Sequence, residues 1–89
     1  MQLPEDVTAD VRKRLRRAAG QVQAVERMLG EGRECRDVVT QLSAATKALE
    51  QAGFALVAAS LAYCIEHPED AAADGYEIDR VQKMFMQLT

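Results

Sequence analysis

The reactive groups of this chain are two thiols and a run of basic side chains. Cys35 and Cys64 are the two cysteines among 89 residues. On a helix, the 29 positions between them make close to eight turns, so both thiols would share one face. They would also stand roughly 43 Å apart along the axis at about 1.5 Å per residue, too far to meet within one chain. Two copies paired antiparallel would set Cys35 of each opposite Cys64 of the other. A cysteine on an apolar stripe is also what an ordinary packed residue looks like. Three features favour a working pair. Cys35 falls in the first turn of its helix, where the dipole favours an anion. Arg33 and Arg36 flank it, and cations beside a thiol favour its thiolate, although Glu34 and Asp37 oppose them. The matched phase, finally, offers the second thiol across a dimer.

Such a pair can bind a soft metal ion or undergo sulfur redox chemistry. A metal wants a third ligand. Ser60, one turn before Cys64, is a poor ligand for a soft ion. His67, the single histidine, directly precedes Pro68 and reads as a residue at a helix end. One histidine is too few for a nickel, cobalt or zinc site. A dithiol switch with no metal fits the residues better, and a Cu(I) site of Cys35, Cys64 and His67 stays open as the alternative. No acid–base pair, glycine-rich phosphate loop or nucleophile triad points to an enzyme.

The basic run is Arg12, Lys13, Arg14, Arg16 and Arg17, five cations in six positions of a chain whose net charge is −3. Asp10 is the one acid close by, and Glu26 lies more than two turns away. A solvated helix face is the usual fate of such a run. A local cluster on an acidic protein is also a footprint for phosphate, with arginine able to read guanine. No aromatic residue interrupts it, which argues against stacking on single strands. A helical thiol or interaction module without a DNA role remains a further alternative.

These groups need helices to position them. Few prolines, no tryptophan and abundant Ala, Leu, Val, Glu, Gln and Arg favour an all-α fold in one domain, residues 1–89. Val11, Leu15, Ala18, Val22, Val25 and Leu29 step by four and three, predicting a first helix. Asp6 or Thr8 is expected to cap it, Leu15 to point to the core, and Gly20 to mark a close helix approach. Gly30-Glu31-Gly32 ends it. Val38, Leu42, Ala45, Leu49, Ala52, Leu56, Ala59 and Tyr63 continue the period in a long helix from Arg33 to about Glu66, folded back antiparallel. Pro68 to Gly75 reads as an acidic connection, and Glu77 to Leu88 as a short third helix. The expected protomer is thus an antiparallel hairpin with one long arm plus a short C-terminal helix. Two such hairpins would pair into a four-helix bundle, with a tetramer as the next step. No apolar run approaches 18 residues and Met1-Gln2-Leu3-Pro4-Glu5-Asp6 is not a leader, so a cytoplasmic protein without a membrane span is expected.

Arg16-Arg17-Ala18-Ala19-Gly20-Gln21-Val22, Val25-Glu26-Arg27-Met28-Leu29, Gly32-Arg33-Glu34-Cys35-Arg36-Asp37-Val38-Val39 and Gln41-Leu42-Ser43-Ala44-Ala45 together resemble the copper-sensitive operon repressor (CsoR-like) family of metal-sensitive repressors. The likeness covers roughly residues 12–65. It implies an all-α dimer of dimers that binds double-stranded operator DNA and releases it on meeting an inducer. It also implies an inducer site between protomers at Cys35 and Cys64, and DNA contacts around Arg14. Copper sensors of the family carry histidine four residues before the second cysteine, where this chain has Ser60. That departure resembles the persulfide-sensing (CstR-like) branch. In that branch one thiolate takes up sulfane sulfur and then links to the partner chain's cysteine, which makes Cys35 the expected nucleophile and Cys64 the resolving thiol. Some family members also carry a basic residue where Phe54 stands.

Overall fold

The computed structural model describes all residues, Met1 to Thr89, as four helices and no strands. They are α1 (Glu5–Gly30), α2 (Cys35–Glu66), α3 (Pro68–Ala73) and α4 (Ile78–Leu88). The all-α expectation holds, with one helix more than expected. The protomer measures 55 × 24 × 13 Å. An α-helix with its side chains is about 10–12 Å thick, so the molecule is a single layer, two helices wide. A single layer buries little, and only 10 of 89 residues are buried.

Helices α1 and α2 form the hairpin. The link turns at Gly32, whose φ of +69° lies in the left-handed region. Arg33 N–H donates to the Met28 carbonyl at 3.0 Å and Gly32 N–H to that of Leu29 at 3.2 Å. This pair of bonds satisfies the last carbonyls of α1 and turns the chain back. Buried residues then recur every seven positions on both arms: Val11, Ala18 and Val25 on α1, Val38, Ala45 and Ala52 on α2. Ala18 and Ala45, each 1% exposed, sit at the middle of the seam. Small residues there let the two helices approach closely, and the valines at the ends each contribute roughly 1.5–3 kcal/mol of burial. The Oε1 atom of Gln21 is buried in the protomer without a hydrogen-bond partner.

The other half of each apolar stripe stays open. Leu15, Val22 and Leu29 on α1 and Leu42 and Leu49 on α2 are exposed. Leu15 therefore does not point into a protomer core as expected, because a one-layer hairpin covers only one of the two positions in each heptad. Gly20 marks no close approach either, since a Cβ built there meets nothing within 4 Å. The close approach is at Gly53, where a Cβ would stand 2.8 Å from Leu88 Cδ2. Glycine at that point lets α4 lie down on α2.

Two helix starts differ from expectation. Helix α1 begins at Glu5 behind Pro4, without a side-chain cap from Asp6 or Thr8. Thr8 N–H instead donates to the Pro4 carbonyl at 3.0 Å, and Glu5 and Asp6 lie in the first turn, where the helix dipole favours acids. Helix α2 begins at Cys35, with Glu34 as its cap accepting from Arg36 N–H at 3.4 Å.

The supposed connection after His67 is mostly α3. Pro68 fits the first helical position, where its missing N–H costs nothing, and Glu69 and Asp70 suit the dipole. Gly75, at φ +81°, ends it, with Tyr76 N–H donating to the Ala71 carbonyl at 2.7 Å. Helices α3 and α4 pack on α2 and not on α1. By length and composition α2 is apolar enough to cross a membrane, contrary to the expectation from run length. Its composition follows from its neighbours, since α1 covers one side of its C-terminal half and α4 another.

Candidate functional site

Cys35 is the first residue of α2 and is exposed, whereas Cys64 lies in its last turn and is buried, at 7% exposure. The helix between them is unbroken. Twenty-nine residues at about 100° each leave the two thiols within about 20° of the same direction, as the spacing predicts. Their shared face carries Cys35, Leu42 and Leu49 in one half and Gly53, Ser60 and Cys64 in the other. The first half is open to solvent. The second half lies under α3 and α4, with Leu88 seated at Gly53 and the Phe54 and Phe85 rings 5.6 Å apart. Phe54 thus serves the docking of α4.

Ser60 is 3% exposed, and its hydroxyl donates to the Leu56 carbonyl at 3.1 Å. This bond satisfies a buried polar group within its own helix. His67 is exposed at the junction of α2 and α3, with its ring 5.9 Å from that of Tyr63. No group of three His, Cys, Asp or Glu side chains within the protomer could hold a metal ion. The structure therefore does not assemble Cys35, Cys64 and His67 within one chain. Any ion held by both thiols would have to lie between two chains, where their soft donors suit Cu(I).

Tyr63 is a residue that the spacing of apolar positions did not single out beyond its place in the stripe. Its hydroxyl donates to Asp74 Oδ2 at 2.7 Å, and its ring meets Tyr76 edge-on at 6.2 Å. The phenol is pushed up to about 12, first by the hydrogen bond to Asp74, then by desolvation and by the charges of Asp74 and Asp70. It stays a donor throughout the neutral range. The amino group of Met1 stands 3.8 Å from the same Asp74 oxygen. Nothing in the local sequence marks this contact, because the two residues are joined by the turn after α3.

The basic run lies along α1. Arg12, Lys13, Arg16 and Arg17 are exposed and form no ion pair in the protomer. Arg14 is partly buried, and its Nε bonds Asp10 Oδ2 at 2.9 Å. Four of the five cations are thus free to meet an external anion, and the fifth is partly neutralised. Near the first thiol, Arg36 Nε lies 3.8 Å from Glu34 Oε1, an exposed pair of little energetic weight.

Comparison with known proteins identifies the family. The family model described as "Metal-sensitive transcriptional repressor" matches residues 8–87, a span that takes in both thiols, the basic run and nearly all of α4. The chain is 43% identical over 63 residues to the copper-sensing transcriptional repressor RicR of Mycobacterium tuberculosis, a match covering 71% of this chain and 62% of that protein. No solved structure matches. The matched family is one of transcriptional repressors, which are not enzymes. With all but a few terminal residues matched, the chain belongs to the metal-sensitive transcriptional repressor family.

Proposed function

We propose that this chain is a cytoplasmic repressor that binds operator DNA and lets it go when Cys35 of one protomer is joined to Cys64 of another. One observation carries this reading: α2 presents both thiols on one face, with exposed Leu42 and Leu49 between them. An exposed leucine row continuous with a functional face calls for a partner. A second hairpin laid antiparallel covers Leu42 and Leu49, together with Leu15, Val22 and Leu29, and forms a four-helix bundle. The same operation brings Cys35 of each chain to Cys64 of the other. The free cations Arg12, Lys13, Arg16 and Arg17, with Arg14 beside them, then appear twice on the surface, spaced for phosphates along a duplex. A further pairing of dimers gives the tetramer.

The proposed inducer is sulfane sulfur, a persulfide or polysulfide. The Cys35 thiolate attacks the outer sulfur of a persulfide, RS–SH, breaking the S–S bond and releasing RS⁻ as Cys35 becomes a persulfide. The Cys64 thiolate of the other chain then attacks the Cys35 sulfur. A disulfide forms and hydrosulfide leaves, so both thiols are oxidised and the sulfane sulfur is reduced. Ser60 favours this reading over a metal, because its hydroxyl is turned back into the helix and offers a soft ion nothing.

A second reading has its own support. The relative is a copper sensor, and two thiolates from two chains suit Cu(I), with His67 as a third ligand. Intact mass after polysulfide or Cu(I) treatment separates the two. Sulfur bridging gives a covalent dimer on a non-reducing gel that either Cys35→Ser or Cys64→Ser abolishes. A tight stoichiometric Cu(I) site that His67→Ala weakens in chelator competition, with no covalent dimer, overturns the sulfur reading in favour of copper.

A further inference from the structure

The face that the partner chain needs at Cys64 is not free in the protomer. Leu88 lies on Gly53, and Val81, two turns earlier on α4, is 3% exposed. Tyr76 meets Tyr63 and the hydroxyl of Tyr63 holds Asp74, so the turn between α3 and α4 is fastened beside Cys64. Ala71 of α3 is fully buried. Cys64 is buried on the face where Leu88 sits, while Cys35, on the same face of the same helix, is bare.

We infer that α3 and α4 form a hinged cover over Cys64, latched by the Tyr63–Asp74 hydrogen bond and seated by Leu88 on Gly53, and that it lifts before Cys64 meets the Cys35 of a second protomer. The part of this inference that concerns the second protomer rests on the function proposed above. The cover is built to move. Among the helices it packs on α2 alone, with the amino group of Met1 3.8 Å from Asp74 as its other tie, so it can leave without disturbing the α1–α2 seam. Its one link to α2 is His67, whose φ of −134° and ψ of 64° break the helix at a single residue. Its buried apolar anchors are small, Ala71 and Val81, while Ile78 and Met86 face solvent and Phe85, packed against Phe54, stays 42% exposed. A small seat, one side-chain hydrogen bond as its latch and a long 3.8 Å ion pair to Met1 are the makeup of a segment that opens locally, well below the cost of global unfolding. It also gives the two thiols a fixed order: Cys35 is available first, and Cys64 only once the cover is off.

The test is the alkylation rate of each thiol in the reduced full-length chain, read separately by peptide mass after timed exposure to iodoacetamide. In the wild type, Cys64 reacts slower than Cys35 by on the order of tenfold or more, as a thiol reached only through local opening does. Tyr63→Phe keeps the ring and removes the latch. It speeds Cys64 by about fivefold, the shift in an opening equilibrium that the net loss of one hydrogen bond produces. Leu88→Ala, which empties the seat on Gly53, speeds Cys64 by an independent route, and both variants leave Cys35 unchanged. The cover is refuted if Cys64 matches Cys35 in the wild type, or if neither variant alters its rate. Polysulfide cross-linking of the same samples keeps the two readings apart. Faster alkylation with no inter-chain bridge in any variant sustains the cover and removes the inter-protomer pairing. A bridge with no change in alkylation does the reverse.

Discussion

The two halves of α2 use the same kinds of residue and end in the same functional group, but they live in different surroundings. Toward Cys35, one side of the helix rests on α1 and the leucine row at Leu42 and Leu49 faces solvent. Toward Cys64, the equivalent row is occupied by the chain's own C-terminus. An apolar period says that a helix face is to be packed and leaves open by what. Here one period is served by an intramolecular cover in one half and, in the proposed dimer, by another copy in the other.

A charge placed in the bare row tests this contrast most severely. Leu49→Asp would bury an unpaired carboxylate at the proposed dimer contact, a cost of several kcal/mol. Sedimentation equilibrium should then report a single protomer where the wild type reports a multiple. An unchanged mass would mean that the bare row touches nothing. Removing cations from α1 comes next. Arg16→Ala with Arg17→Ala should weaken operator binding and flatten its dependence on salt, by a log–log slope of about 0.9 for each phosphate no longer neutralised. Arg14→Ala should cost less than either, because Asp10 already holds its guanidinium. Equal losses at all three positions would show that the Asp10 pair does not survive on DNA.

A smaller effect reports on the covered half. The folded-state value for Tyr63 lies above that of a free phenol, so the latch's contribution to stability is complete below about pH 10. It is lost as pH rises toward about 12 and the hydroxyl gives up its proton. A phenolate absorbance step near that pH that disappears in Tyr63→Phe checks this. If the step that Tyr63→Phe removes falls instead at the pH of free tyrosine, the hydroxyl lies away from Asp74. The smallest change is expected at Gln21. Replacing it with Leu removes a buried carbonyl oxygen that has no partner and should stabilise the fold by about 1 kcal/mol, seen as a higher melting temperature. A lower one would mean that a second chain supplies the missing donor.

The hairpin and both apolar stripes were legible in the sequence, because heptad spacing and a Gly-x-Gly stop are local signals. The shared face of the thiols was legible for the same reason, helix phase being fixed by counting. Which member of each heptad is buried in the protomer was not, since Leu15 and Ala18 belong equally to the stripe and only the thickness of the layer separates them. Helix α3 was hidden by treating Pro68 as an end when it is also a start. The role of Gly53 depends on Leu88, which is 35 positions away, and no local pattern connects the two. Gly20 drew notice for being a glycine beside two alanines, a composition cue that the hairpin does not use. The burial of Cys64 and the Tyr63–Asp74 bond likewise come from chain folding back on itself after His67.

A protomer about one helix thick has scarcely any interior of its own. If its inducer acts by joining two chains, ligand binding and self-association are linked equilibria, and each strengthens the other by mass action. The dose of inducer needed to clear an operator then depends on how many copies of the repressor the cell holds. Abundance becomes a setting of the sensor, adjustable without changing a single residue of the site.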